Sequence, residues 1–183
     1  MKPLDIQNEA QPKNEMEAAS TTGDLLEICR AWIRRYIVVS EFQAIILAAW
    51  ELHTYVFGTA ETTPYIHITA PEKACGKSRL MEVLEALAAA PIRSGGMTAA
   101  ALVRTIEAKK PTIFLDEMDA QLGGNREYAE AVRGILNEGF HKGGKFYKCN
   151  GKTHKVEEFN AYCPKCFAGI GKLPDTVASR SKV

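Results

Sequence analysis

The sequence has no long apolar run. The longest in its first helical region, Ala44 to Trp50, falls far short of the roughly twenty residues that a bilayer-spanning helix needs. No cationic start, apolar stretch and small-residue cleavage site precede it, so the sequence predicts a soluble, cytoplasmic protein with no membrane partner. An excess of either charge is missing too. With 23 Lys and Arg against 22 Asp and Glu, the whole chain has no field that announces a nucleic acid, and any such partner must be read from local clusters. Cysteine is scarce and odd in number. Five of them, with no secretion signal and no even framework, exclude a disulfide scaffold and point to a reducing compartment where thiols are free or bind metal. No repeat or low-complexity segment appears.

What is present suffices for one domain with a core: 46% of the 183 residues are apolar. Residues 1–20 are polar, carry two prolines and predict a mobile tail, because they cannot bury enough surface to offset ordering. Over 21–60 the spacing predicts two helices. Apolar residues recur at helical intervals from Leu25 to Val39, with Cys29 a core residue, and Ser40 with Gln43 forms a capping box for the second helix. The core then occupies 61–183. Tyr65 to Thr69 reads as a strand, Lys77 to Ala89 as a helix ending before Pro91, and Ile92 to Ser94 as a short strand. Thr98 caps a helix through Leu102, Val103 and Ile106; Thr112 to Leu115 is apolar enough for a strand buried on both faces; Arg126 to Phe140 is a further helix. Such alternation implies right-handed crossovers and an α/β fold, a mainly parallel sheet in three α/β/α layers.

Between the first strand and its helix lies Pro71-Glu72-Lys73-Ala74-Cys75-Gly76-Lys77-Ser78, followed by Arg79. In that context Gly-Lys-Ser reads as a Walker A phosphate loop. Backbone N–H groups at the helix start cradle phosphate oxygens, Gly76 lets the backbone approach, Lys77 reaches the β- and γ-phosphates, and the Ser78 hydroxyl serves Mg²⁺. Pro71 stands where the first glycine is usual. The plain alternative is a surface turn. Asp116 and Glu117 supply the second half: two carboxylates at the carboxyl end of a buried strand, the edge where ligands of parallel sheets bind. Asp116 is placed for Mg²⁺ and Glu117 to activate water, as in a Walker B motif, with Asp119 a helix cap.

These residues resemble the AAA+ ATPases, and within them a family of phage- and plasmid-borne P-loop proteins. The likeness covers Trp50-x-x-His53-Thr54, Pro71-Glu72-Lys73-x-Cys75-Gly76-Lys77, Leu115-Asp116-Glu117, Leu136-Asn137 and Ala168 to Thr176, from about Ser40 to the C-terminus. That family's loop carries the same proline. The resemblance implies an ATPase that uses ATP and Mg²⁺, forms homo-oligomers and acts on single- or double-stranded DNA for a mobile element, in a process such as replication. It also implies a sensor strand at Cys166 to Ile170, with Lys172 near the sensor position although a lysine departs from the polar residue usual there. Arg180 is similar to the arginine that reaches a neighbouring subunit's γ-phosphate; otherwise it is a solvated helix end. An AAA+ module continues into a fifth strand and a helical lid, and after Ser181-Lys182-Val183 nothing remains to build them, so the resemblance implies a truncated or minimal form.

Between His141 and Lys155 stand five lysines and no acid. Asn150-Gly151 between β-prone runs predicts a hairpin with strands at Lys145 to Cys149 and His154 to Phe159. One AAA+ superclade inserts a hairpin here and uses its lysines on nucleic acid. Lys145, Lys148, Lys152 and Lys155 are the candidates for phosphate, with Phe146 or Tyr147 for base stacking; a solubilising hairpin is the alternative. Cys149, His154, Cys163 and Cys166 raise a competing zinc site, and with it a zinc-stabilised nucleic-acid-binding module whose nucleotide site does not hydrolyse. Their spacing is not that of a standard finger, which argues against zinc. A kinase-like phosphotransferase is a third class, disfavoured by the acidic pair.

Overall fold

The computed structural model describes residues 19–69, 76–116, 126–151, 153–169 and 179–182. Two helices come first, α1 (Thr22–Tyr36) and α2 (Glu41–Val56), then a 3₁₀ turn at Phe57–Thr59. Each helix opens on a reciprocal capping box. The Ser40 box is the expected one: its hydroxyl accepts from Gln43 N–H at 3.2 Å while Gln43 Oε1 accepts from Ser40 N–H at 3.0 Å. Thr21 and Asp24 form a second box at α1 that the residue spacing had not flagged. A box of this kind is worth about 1 kcal/mol, enough to set where a helix starts but not to fold it.

The core follows as β1 (Tyr65–Thr69), α3 (Lys77–Leu87), β2 (Pro91–Ser94), α4 (Ala99–Lys109), β3 (Thr112–Leu115), α5 (Arg126–Glu138), β4 (Lys145–Cys149), β5 (Val156–Asn160), β6 (Lys165–Gly169) and β7 (Ser181–Lys182). Five strands form one parallel sheet in the order β2-β3-β6-β1-β7, and β4-β5 form a separate antiparallel pair. This corrects one expectation. The sheet has a fifth strand, because Ser181–Lys182 pairs in parallel with Tyr65 and Ile66 of β1 rather than ending the chain as a loop.

Strand periodicity sorts the side chains into two cores. Ile66, Ile68, Phe114, Cys166 and Ala168 face the layer of α1, α2 and α3, where Cys29, Ile33, Leu47 and Leu84 are fully buried. Tyr65, Ile113, Leu115 and Phe167 face α4 and α5 through Leu102, Ile106, Val132 and Ile135. The protein is therefore α/β, with helices on both faces of a parallel sheet. Each buried Leu, Ile or Phe contributes about 1.5–3 kcal/mol relative to exposure, so these two cores outweigh the caps.

Fasteners join α2 to the amino-terminal edge of the sheet. Trp50 Nε1 donates to Pro64 O at 2.8 Å, His53 Nε2 and Thr63 Oγ1 lie 2.9 Å apart, and the Thr54 hydroxyl accepts from Ala89 N–H at 3.0 Å. The Tyr55 hydroxyl donates to Leu87 O at 2.7 Å. Three of the residues that carried the family resemblance, Trp50, His53 and Thr54, thus act here as structural clasps.

The hairpin strands begin as expected at Lys145 but pair Cys149 with Val156. The second strand therefore starts at Val156 rather than at the expected His154, which lengthens the loop. Asn150 organises this longer loop, donating its N–H to Lys155 O at 2.9 Å and accepting from His154 N–H at 2.8 Å.

Candidate nucleotide site

α3 leaves Leu87 and reaches β2 within a few residues at the amino-terminal edge, so it runs antiparallel to the strands and its first turn lies at their carboxyl edge. Gly76 caps it. This residue has φ 83° and ψ 7°, a left-handed conformation that glycine takes without a side-chain penalty. Thr21, Ser40 and Thr98 each cap their helices with a hydroxyl, whereas Gly76 has no side chain to offer. The first-turn N–H groups at Lys77 and Ser78 therefore face no cap from that residue, and the helix dipole there favours an anion. Lys77 is partly buried, Ser78 exposed.

Asp116 follows the last residue of β3, and its N–H donates to Ser94 O at 3.2 Å. Phe114 packs on the α3 side of the sheet, so Asp116, two residues on, projects toward the same side. There it meets Arg93. Arg93 NH2 lies 2.7 Å from Asp116 Oδ2, and Arg93 NH1 lies 3.6 Å from Glu85 Oε2 of α3. Burial opposes the Arg93 charge, but the hydrogen bond and charge of Asp116 outweigh it and raise the guanidinium pKa. In the sequence Arg93 is only a strand residue; a basic side chain one position before the carboxyl end of β2 is the local signal, and strand pairing supplies Asp116 as its neighbour. Arg79 is held on its own helix by Glu82 at 3.3 Å.

Ser78 and Asp116 are hard oxygen donors of the kind Mg²⁺ takes, carried by two elements that meet the same edge, so the donor set fits that ion. Pro71, Glu72, Lys73, Ala74, Cys75, Glu117, Asp119, Lys152 and Lys172 lie outside the described residues, as do residues 1–18.

Arg180 lies at the opposite edge. Its carbonyl accepts from Tyr65 N–H at 3.0 Å, at the start of β1, while Gly76 and Lys77 come after the end of that strand. The Arg180 guanidinium donates to Asn137 of its own chain and lies over the Phe140 ring, 5.4 Å from the centroid. It is a half-buried anchor rather than a solvated helix end. The resemblance-bearing pair Leu136-Asn137 serves the same corner, for the Tyr65 hydroxyl donates to Leu136 O at 2.8 Å.

On the hairpin, Phe146 and Phe159 turn inward onto the α4–α5 core, and Phe146 covers Gly134. This removes Phe146 as a base-stacking residue and leaves Tyr147, which is exposed. Lys145 pairs with Glu158 at 2.9 Å, and Lys148 stands opposite Glu157 in the ladder, whose carboxylate Arg104 holds at 3.2 Å. The lysine-rich reading missed these acids because they fall just past Lys155 in sequence. Lys148 and Lys155 are exposed.

The four proposed zinc ligands do not converge. Cys163 is buried in the core under α4 and α5, Cys166 in the core on the other face, and Cys149 is exposed on the hairpin. Among the described residues no group of three or more His, Cys, Asp or Glu side chains is disposed to hold a metal. Burial pushes both core thiols up in pKa, so neither is poised as a thiolate.

Two buried polar groups were also missed. Lys165 is fully buried, its ammonium donating to Ala161 O at 2.8 Å and Cys163 O at 3.0 Å, and desolvation lowers its pKa. Glu51 is fully buried among apolar residues with neither carboxylate oxygen hydrogen-bonded. A cavity of about 1260 Å³, lined by Leu25, Leu26, Leu52, Val56, Ala89 and Pro91, opens at the amino-terminal edge and is thus at the far end of α3 from Lys77.

In comparisons with known proteins, no family model matches this chain and no curated protein matches it. No described helix is long and apolar enough to cross a membrane.

Proposed function

We propose that this chain is a P-loop, AAA+-type domain that binds ATP with Mg²⁺ and hydrolyses it. One observation carries the reading: the glycine-capped start of α3, bearing Lys77 and Ser78, and the carboxylate of Asp116 are brought to one edge and one face of a parallel sheet. Strand order supports it, since β1 and β3 flank β6 and connections leave β1 and β6 toward opposite edges, the arrangement that opens a crevice at a topological switch point. In this reading Lys77 neutralises the β- and γ-phosphates, Ser78 and Asp116 hold the metal, and Glu117, next to Asp116, orients the attacking water. Mg²⁺ would draw charge from the phosphates.

Assembly and DNA binding belong to the same proposal. Arg180 is too far along β1 from its own chain's site to serve it, which suits action on a neighbouring subunit. The hairpin comes directly before β6 and its exposed Lys155 and Lys148 are the side chains for a phosphate backbone.

The test is Lys77→Ala. Loss of Mg-ATP binding by at least about a hundredfold in titration calorimetry, with melting unchanged, is the expected result for a P-loop lysine. Equal affinity in wild type and variant overturns the reading.

A further inference from the structure

We propose that Arg93 is the positioning residue of this site, a fixed internal cation that holds the Asp116 carboxylate and that divalent metal must displace when it arrives with nucleotide. The inference rests on the nucleotide reading above and goes beyond it, because nothing in a phosphate loop or an acidic strand end requires an arginine on the neighbouring strand.

The geometry has three parts. First, β2 and β3 are paired with Arg93 opposite Phe114, which sets the guanidinium on the α3 side of the sheet, one pleat from Asp116. The 2.7 Å contact to Asp116 Oδ2 follows from that register rather than from a flexible reach. Second, both side chains are about three-quarters removed from water, at 27% and 24% exposure, so the pair is screened less than a surface ion pair. Third, Arg93 has somewhere to go. Glu85 of α3 lies 3.6 Å from its other nitrogen, and Glu82 adds to the negative potential around it, so a guanidinium released by Asp116 keeps a carboxylate partner.

Two consequences for binding follow. Without metal, Asp116 would repel a polyphosphate at the start of α3; the Arg93 charge cancels that repulsion. With metal, the same charge competes for the carboxylate. Arg93 therefore narrows the gap between metal-free and metal-loaded nucleotide affinity, and lets the protein hold nucleotide before the ion is in place.

The experiment measures the ratio of ATP dissociation constants in EDTA and in Mg²⁺, together with Mn²⁺ binding in the presence of ATP by electron paramagnetic resonance. Arg93→Met and Arg93→Gln are the variants, with Glu85→Gln as a third that keeps the arginine. Removing the arginine should raise the ratio about tenfold and tighten Mn²⁺, the size expected for one unpaired neighbouring charge. Glu85→Gln should lower the ratio, since Arg93 then has Asp116 alone. A purely structural salt bridge would lower the melting temperature of the arginine variants and leave the ratio where it was, and that result overturns the inference. Failure of the site itself is separate: ATP binding that does not depend on Lys77 removes the nucleotide reading and this inference together. Lys77-dependent binding with an unchanged ratio removes only the role of Arg93. Should neither arginine variant fold, Glu85→Gln decides alone, and an unchanged ratio there counts against it.

Discussion

Arg180 donates to the carbonyl oxygen of Asn137 at 2.5 Å and to its Oδ1 at 3.1 Å, which ties the start of the last strand to the end of α5 across the amino-terminal edge of the sheet. An arginine proposed to act on a neighbouring subunit thus also has work within its own.

The two roles separate by mutation. Arg180→Ala should cost about 2 kcal/mol of stability in denaturant unfolding, the usual worth of a charge-assisted hydrogen bond, and Asn137→Ala, which keeps the main-chain carbonyl and loses only the Oδ1 contact, should cost less. Only Arg180→Ala should also remove ATP turnover, and mixing it with Lys77→Ala subunits should restore some at interfaces where an intact loop meets an intact arginine. Equal turnover in the two single variants would confine Arg180 to its structural contact.

On the hairpin the charge pairs divide the lysines into two groups. Lys145 is spent on Glu158, whereas Lys148 and Lys155 are exposed toward the loop end. Lys148→Ala with Lys155→Ala should weaken single-stranded DNA binding and flatten its salt dependence by a slope of roughly 0.7 for each lost phosphate contact. Lys145→Ala should leave the slope nearly unchanged. A slope indifferent to the double variant makes the hairpin a solvated surface.

Glu51 gives the fold a pH dependence of its own. Burial, with no hydrogen bond to either oxygen, pushes its carboxyl well above the ordinary 4.5, and the titratable groups around it are Cys29 on α1, Tyr55 on α2 and Cys166 on β6. Its folded pKa is raised, so its contribution to stability is complete below the unfolded value and is lost as pH rises from there through the folded value. Glu51→Gln, which stays neutral, should melt about 3 °C or more above wild type at pH 8 and at the same temperature near pH 4. A difference that does not shrink on acidification shows that Glu51 is ionised in the folded protein.

Much of this architecture was legible locally. The alternation of strands and helices, the Ser40 and Thr98 caps, the fully buried β3 and the break at Gly76 each follow from side chains within one turn or one strand, where propensity and periodicity act. The hairpin was legible only in part. Asn150-Gly151 marks a hairpin, but where its second strand starts was settled by Phe146 and Phe159 packing inward onto α4 and α5, a contact between segments that sequence spacing does not express.

By itself, then, the sequence determined the element types, the parallel α/β class and the residues that start α3 and end β3, because these depend on local conformational preference and on which face is apolar. Only the tertiary structure decided who stands beside whom. Strand order made Arg93 a neighbour of Asp116 and put Cys163 and Cys166 in different cores, although each pair's chemistry is plain in the letters. Parallel pairing joins strands separated by whole helices, and the side-chain partners it creates depend on the order of the strands, which no local preference encodes.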